Sequence, residues 1–127
     1  MRSLFLCAGF GVAGAIHLLP LYGVLGAQQL LDLYGVPLTS SKKERNVLIM
    51  MRHRAVLFGI LGFYLLYAIG DENHQNTALI GGFSSTISFF SIAMQEGGYN
   101  RQLQNVLVAD LMAIGALIVA AGSKFML

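Results

Sequence analysis

Four long apolar stretches separated by short polar ones set the pattern of this chain. The first, Leu4 to Leu25, contains no Asp, Glu, Lys or Arg. The second poses a length problem. A helix needs about 20 predominantly apolar residues to cross the hydrocarbon core, and the uncharged run from Ala55 to Gly70 is too short to do so alone. Its helix must start upstream and carry Arg52, His53 and Arg54 into the bilayer. The third and fourth stretches run from about Thr77 to Gln95 and from about Gln102 to Gly122. The expected architecture is an all-α integral membrane four-helix bundle, one domain over residues 1–127, with spans near 4–25, 47–70, 77–95 and 102–122.

The connecting segments each carry a signal. Pro20 removes a backbone donor and kinks or ends the regular part of the first helix. Gly26 to Val36, GAQQLLDLYGV, is too short and polar to span, and places Leu30, Leu31 and Tyr34 on one face, so it reads as a short interfacial helix between spans one and two. Ser41 followed by Glu44 makes a capping box that starts the second helix near Lys42. Asp71 to Asn76, DENHQN, reads as a solvated loop, and Gly97-Gly98-Tyr99-Asn100 as a tight turn.

Composition agrees. Of 127 residues 56% are hydrophobic and only 11% charged, with mean hydropathy +0.68, whereas a soluble domain carries about 25% charged residues. Fifteen glycines suit closely packed membrane helices. The net charge of +2 is small and scattered, which argues against a nucleic-acid partner, since that needs basic residues clustered on one face. A single cysteine, Cys7, excludes an internal disulfide or a thiolate metal cage, and reads as a small buried apolar residue. Arg2 and Lys124 fall on one side of the four spans. Lys42, Lys43, Arg45, Arg52, Arg54 and Arg101 fall on the other. The positive-inside rule then places both termini away from the cytoplasm, and the Lys42 to Arg45 run at anionic headgroups.

With a rise of about 1.5 Å per residue, Asp110 comes out roughly 10 Å below the cytoplasmic surface and Arg52 and Arg54 about 3 to 6 Å deep. His17, on a helix running the other way, reaches the level of Asp110. Ser84, Ser88, Ser91 and Gln95 repeat along one helical face, and the lower part of that stripe enters the same layer. Arg52 shares its face with Ala55, Gly59 and Gly62, a small-residue contact surface, so it is expected to point inward. Arg54 shares its face with Leu57, Phe58, Leu61 and Leu65 and is expected to snorkel to phosphate. The candidate ligand-binding residues are His17, Arg52, His53, Arg54, Ser88, Ser91, Gln95 and Asp110. Arg52 with Asp110 reads either as a structural ion pair docking helices two and four or as part of a ligand site. No residues sit at metal-ligand spacing, no cofactor is implied, and the GxSxG, HExxH and phosphate-loop signatures are absent from the sequence.

At MRHRAVLFG (Met51 to Gly59), GGYN (Gly97 to Asn100) and the Ala109-Asp110 pair, the sequence resembles a family of small bacterial four-helix membrane proteins of unknown function. The resemblance implies a bacterial inner-membrane location and supplies no catalytic residues. A label of phosphopantetheine adenylyltransferase is sometimes attached to that family; it denotes a soluble α/β nucleotidyltransferase, which nothing in this sequence supports. In architecture alone the chain is also similar to the DoxX-like group.

Three functions follow as expectations. The first is binding of the polar head of a lipid- or quinone-like amphiphile in the polar layer, with membrane lipids or a hydrophobic small molecule as partner. The second is an accessory or scaffolding subunit whose Gly11-x-x-x-Ala15 and Ala116-x-x-x-Ala120 faces dock a larger protein or a second copy. The third is a small proton-coupled exporter working as a dimer.

Overall fold

The computed structural model describes residues 2–26, 28, 29, 31 and 42–126. Helix α1 (Arg2–Leu18) continues as a 3-10 segment, Leu19–Leu25. Helix α2 (Lys42–Tyr67) ends in a 3-10 turn, Ala68–Gly70, and is followed by α3 (Glu72–Glu96) and α4 (Arg101–Met126). No strand occurs among the described residues. Most of the expected interfacial helix and the Ser41 cap lie outside them; Gln28, Gln29 and Leu31 are helical. All four helices are long and apolar enough to cross a membrane, over Ser3–Gly23, Arg45–Gly70, Glu72–Glu96 and Arg101–Met126.

Pro20 acts where the sequence places it. The α-helix stops at Leu18, and the ring sits at the start of the tighter 3-10 segment, where a missing donor costs nothing. DENHQN, expected as a loop, is instead the start of α3. Asp71 is the N-cap, its carboxylate accepting from the Asn73 amide at 3.0 Å, and the chain is helical from Glu72 onward. An acidic cap satisfies an orphan donor and complements the helix dipole, which outweighs the polar composition. The α3–α4 turn uses Gly97 and Gly98 at φ 67° and 65°, left-handed values that an L side chain resists. Asn100 Oδ1 then accepts from the Leu103 amide at 2.8 Å to open α4.

The helices form a closed square. Each packs on its neighbour in sequence, α4 returns to pack along α1, and α2 and α4 face each other across a diagonal. In lipid no hydrophobic force pulls helices together, so close packing must hold them. The core residues Phe10, Ala13, Leu65, Ala68, Ala78, Ala113, Leu117 and Ala120 are fully buried. The tightest approach joins α1 to α4, where a Cβ added at Gly9 would lie 2.5 Å from the Ala116 carbonyl oxygen and 2.7 Å from Ala120 Cβ. The Ala116-x-x-x-Ala120 face is therefore spent inside the bundle and is no docking surface, whereas nothing lies within 4 Å of a Cβ at Gly11. Cys7, expected to be buried, is exposed on the bundle surface.

Candidate functional site

The chain contributes one polar group from each helix to a single layer, and one of the four, Ser85, lies outside the candidates the sequence pattern selects. His17 occupies the last turn of α1 and is only 2% exposed. Its Nδ1 lies 2.8 Å from the Ala13 carbonyl oxygen. A carbonyl can only accept, so Nδ1 carries the hydrogen, and in the neutral ring Nε2 is left as an acceptor. That nitrogen lies 3.3 Å from Ser85 Oγ on α3, the geometry of a serine hydroxyl donating to imidazole.

Helix α2 supplies Arg54 rather than Arg52. The Arg54 guanidinium carbon stands 4.5 Å from the centre of the Phe58 ring and 5.2 Å from that of Phe89 on α3, a cation held against two aromatic faces. Phe58 also leans on His17, with ring centroids 5.8 Å apart. Asp110 on α4 is 8% exposed and within electrostatic reach of Arg54. It lies one to three turns from Ala113, Leu117 and Ala120 on the same buried face, as expected. Arg54 and Asp110 are each about 14 Å from the Arg45 and Arg101 ends of their spans.

Arg52 and His53 are exposed, which reverses the expected roles of the two arginines. The reason is where the partner helix ends. Gly62 packs on Gly14 and Leu18, and Gly59 on Leu21, so the small-residue face of α2 does point inward. Arg52 lies two turns beyond Gly59, about 10 Å further along, where the 3-10 segment is finishing at Leu25. The face expected to meet lipid is instead the seam between α2 and α3: Leu65 is fully buried there, and Leu61 approaches a Cβ at Gly81 to 3.2 Å. The diagonal placement of α2 and α4 also removes the expected docking of those two helices on an Arg52–Asp110 pair.

The serine stripe faces outward. Ser84, Ser88, Ser91 and Gln95 are all exposed, and Ser88 satisfies its hydroxyl on its own helix, donating to the Ser85 carbonyl at 3.0 Å. The residues missed are Ser85, Phe58 and Phe89. Gly81, Ser85 and Phe89 recur every four positions and so share a face, a signal that the longer serine stripe masks.

Arg54, Leu57, Phe58, Leu61 and Ser85 line a cavity of about 240 Å³ in the α2–α3 seam. Ligand pockets for whole molecules run from about 300 Å³ upward, so this one has room for a headgroup or a linkage. Its only polar side chains are Arg54 and Ser85.

At the opposite end of the bundle, His74 is not simply solvated. Its Nδ1 shares a 2.9 Å hydrogen bond with the Tyr64 hydroxyl, and its Nε2 lies 3.7 Å from Asp71 Oδ2. Buried Gln75 donates to the Ala68 carbonyl at 3.0 Å and accepts from Lys124 Nζ at 3.1 Å. These bonds fasten the α2–α3 corner to the end of α4. Among the described residues no three His, Cys, Asp or Glu side chains converge as a metal site would need.

Fold and site together define a multi-pass helical membrane protein with a polar layer, buried at His17 and Asp110 and half-buried at Arg54 and Ser85. No family model, curated protein or solved structure matches the chain.

Proposed function

We propose that the protein binds a membrane amphiphile, a lipid or a quinone, whose polar head enters the α2–α3 cavity while its tail stays in the bilayer. The observation that carries this reading is Arg54, braced by Phe58 and Phe89 at a cavity otherwise lined by apolar side chains and Ser85. A guanidinium presents several donors in a fixed plane and takes an anionic or carbonyl oxygen of the headgroup. Asp110, within electrostatic reach, partly offsets its charge, which favours a carbonyl oxygen over a fully charged phosphate. The small volume supports a head-only occupant, and the predominance of Lys and Arg at this end supports the cytoplasmic leaflet.

Native mass spectrometry of protein extracted in lipid nanodiscs tests this. Wild-type protein and Arg52→Gln should carry a lipid or quinone mass that Arg54→Gln lacks. Wild-type protein that is ligand-free even at high lipid loading overturns the proposal. Of the two faces named for a docking subunit, the Gly11 and Ala15 face stays open.

A further inference from the structure

The cavity holds more than a binding group. We infer that Ser85 and His17 are a nucleophile and its general base, and that the site cleaves a carboxylic ester of a membrane amphiphile; this rests on the reading that the cavity receives an amphiphile's polar head.

A serine hydroxyl is a weak nucleophile until a neighbouring base takes its proton, and that base must be fixed in the right tautomer by a third group. All three parts are present. Ser85 Oγ is 3.3 Å from His17 Nε2, just beyond the range of about 2.6–3.2 Å for a nucleophile and its base, which is often exceeded without substrate. The Ala13 carbonyl, 2.8 Å from Nδ1, keeps the hydrogen on that nitrogen and directs the lone pair of Nε2 at Ser85. Burial to 2% exposure and the Phe58 ring 5.8 Å away fix the imidazole plane. Ser85 and Arg54 line the same cavity, and the proposed ester sits between them, its carbonyl carbon at Oγ and its oxygen toward the guanidinium. Donors fixed where negative charge develops are the largest single contribution in acyl transfer.

The step balances within these groups and water. As Oγ bonds to the ester carbon, its proton passes to His17 Nε2 and the carbonyl oxygen becomes an oxyanion held by Arg54. The carbon–alkoxy bond then breaks, and the leaving oxygen takes the proton from Nε2, giving a free alcohol and acyl-Ser85. Water repeats the sequence: it yields a proton to His17 as it bonds to the acyl carbon, and Ser85 leaves and recovers that proton. The products are an alcohol and a carboxylic acid, with no change of oxidation state. An ester suits the site better than a phosphodiester because the cavity is apolar apart from Arg54, whose charge Asp110 already offsets.

The test uses the full chain in phosphatidylcholine nanodiscs and two probes, a long-chain alkyl fluorophosphonate and 4-nitrophenyl laurate. Wild-type protein and the exposed control Ser88→Ala should form one covalent phosphonate adduct, mapped to Ser85, and release nitrophenol. Ser85→Ala should do neither, and His17→Gln should react at least about 100-fold more slowly, the usual contribution of a general base. Should His17→Gln fail to fold, Ser85→Cys decides: a thiol beside the imidazole should alkylate faster with a lipophilic maleimide than the exposed Cys7 does, and an equal or slower rate overturns the pair. A folded wild-type protein with no adduct on Ser85 also overturns it. In that case an Arg54-dependent lipid mass leaves the binding proposal standing. Absence of that mass alongside an adduct on Ser85 would fail the binding proposal and keep the dyad.

Discussion

Arg54 and Phe58, four residues apart on α2, form a stacked pair with 4.5 Å between guanidinium carbon and ring centre. One helical turn separates them, so the stack is local and survives without a ligand, and Phe89 closes it from α3 at 5.2 Å. The pair turns a costly membrane charge into a fixed one. Removing the cation leaves Asp110 buried without its neighbouring positive charge, and a buried ionic partner left alone is the expensive case. Arg54→Met should therefore lower thermal stability in detergent, and the double change Arg54→Met with Asp110→Asn should recover at least about 1 kcal/mol of that loss. Arg52→Met, at an exposed position, should cost less than Arg54→Met. Additive single effects would contradict the coupling.

Gly9 and Gly11 make a matched pair of tests on one helix. A methyl group at Gly9 collides with backbone and Cβ atoms of α4 at 2.5 to 2.8 Å, and none of them is the flexible end of a side chain. Gly9→Ala should cost about 1 to 3 kcal/mol as an overpacked contact and shift the unfolding midpoint of the purified protein accordingly. Gly11→Ala meets nothing within 4 Å and should be neutral or stabilising by up to about 1 kcal/mol, through helix propensity.

Asp71 is predicted to matter through its cap. Asp71→Ala removes the acceptor of the Asn73 amide and should destabilise by about 0.5 to 2 kcal/mol. Asp71→Asn keeps an acceptor and should retain most of that stability. Equal losses in the two variants, measured by chemical unfolding, would assign the effect to the His74 contact instead.

Gln75→Leu tests the other end of the bundle. It deprives the Ala68 carbonyl of one donor and Lys124 of its acceptor, and should cost about 1 to 3 kcal/mol. Lys124→Met should cost less, because Gln75 keeps its bond to the Ala68 carbonyl. Hydrogen exchange at the start of α3 should rise in the first variant more than in the second.

The four helices were legible because span length is a requirement of lipid itself, and runs such as Leu4 to Leu25 are long enough to meet it. His17 and Asp110 were equally plain, since an ionisable group in an apolar stretch tends to turn inward. What the pattern hid was rotation and register. Arg52, His53 and Arg54 step by about 100°, and the small-residue face chosen for Arg52 does point inward, but Arg52 lies level with the end of its neighbour at Leu25. The serine stripe misled for a different reason: a hydroxyl can bond to its own helix, as Ser88 does, so a run of serines does not demand a buried face. DENHQN misled because polar residues serve equally as a loop or as a helix's first turn, and only the backbone geometry at Asp71 separates the two.

The contact at Gly9 sets the order in which the molecule can be completed. Since α1 closes against α4, a nascent chain inserting from its first helix onward must hold that helix's glycine groove open to lipid until the fourth helix emerges. Only then can the ring shut, so the seam between α1 and α4 is the last of the four helix contacts to form.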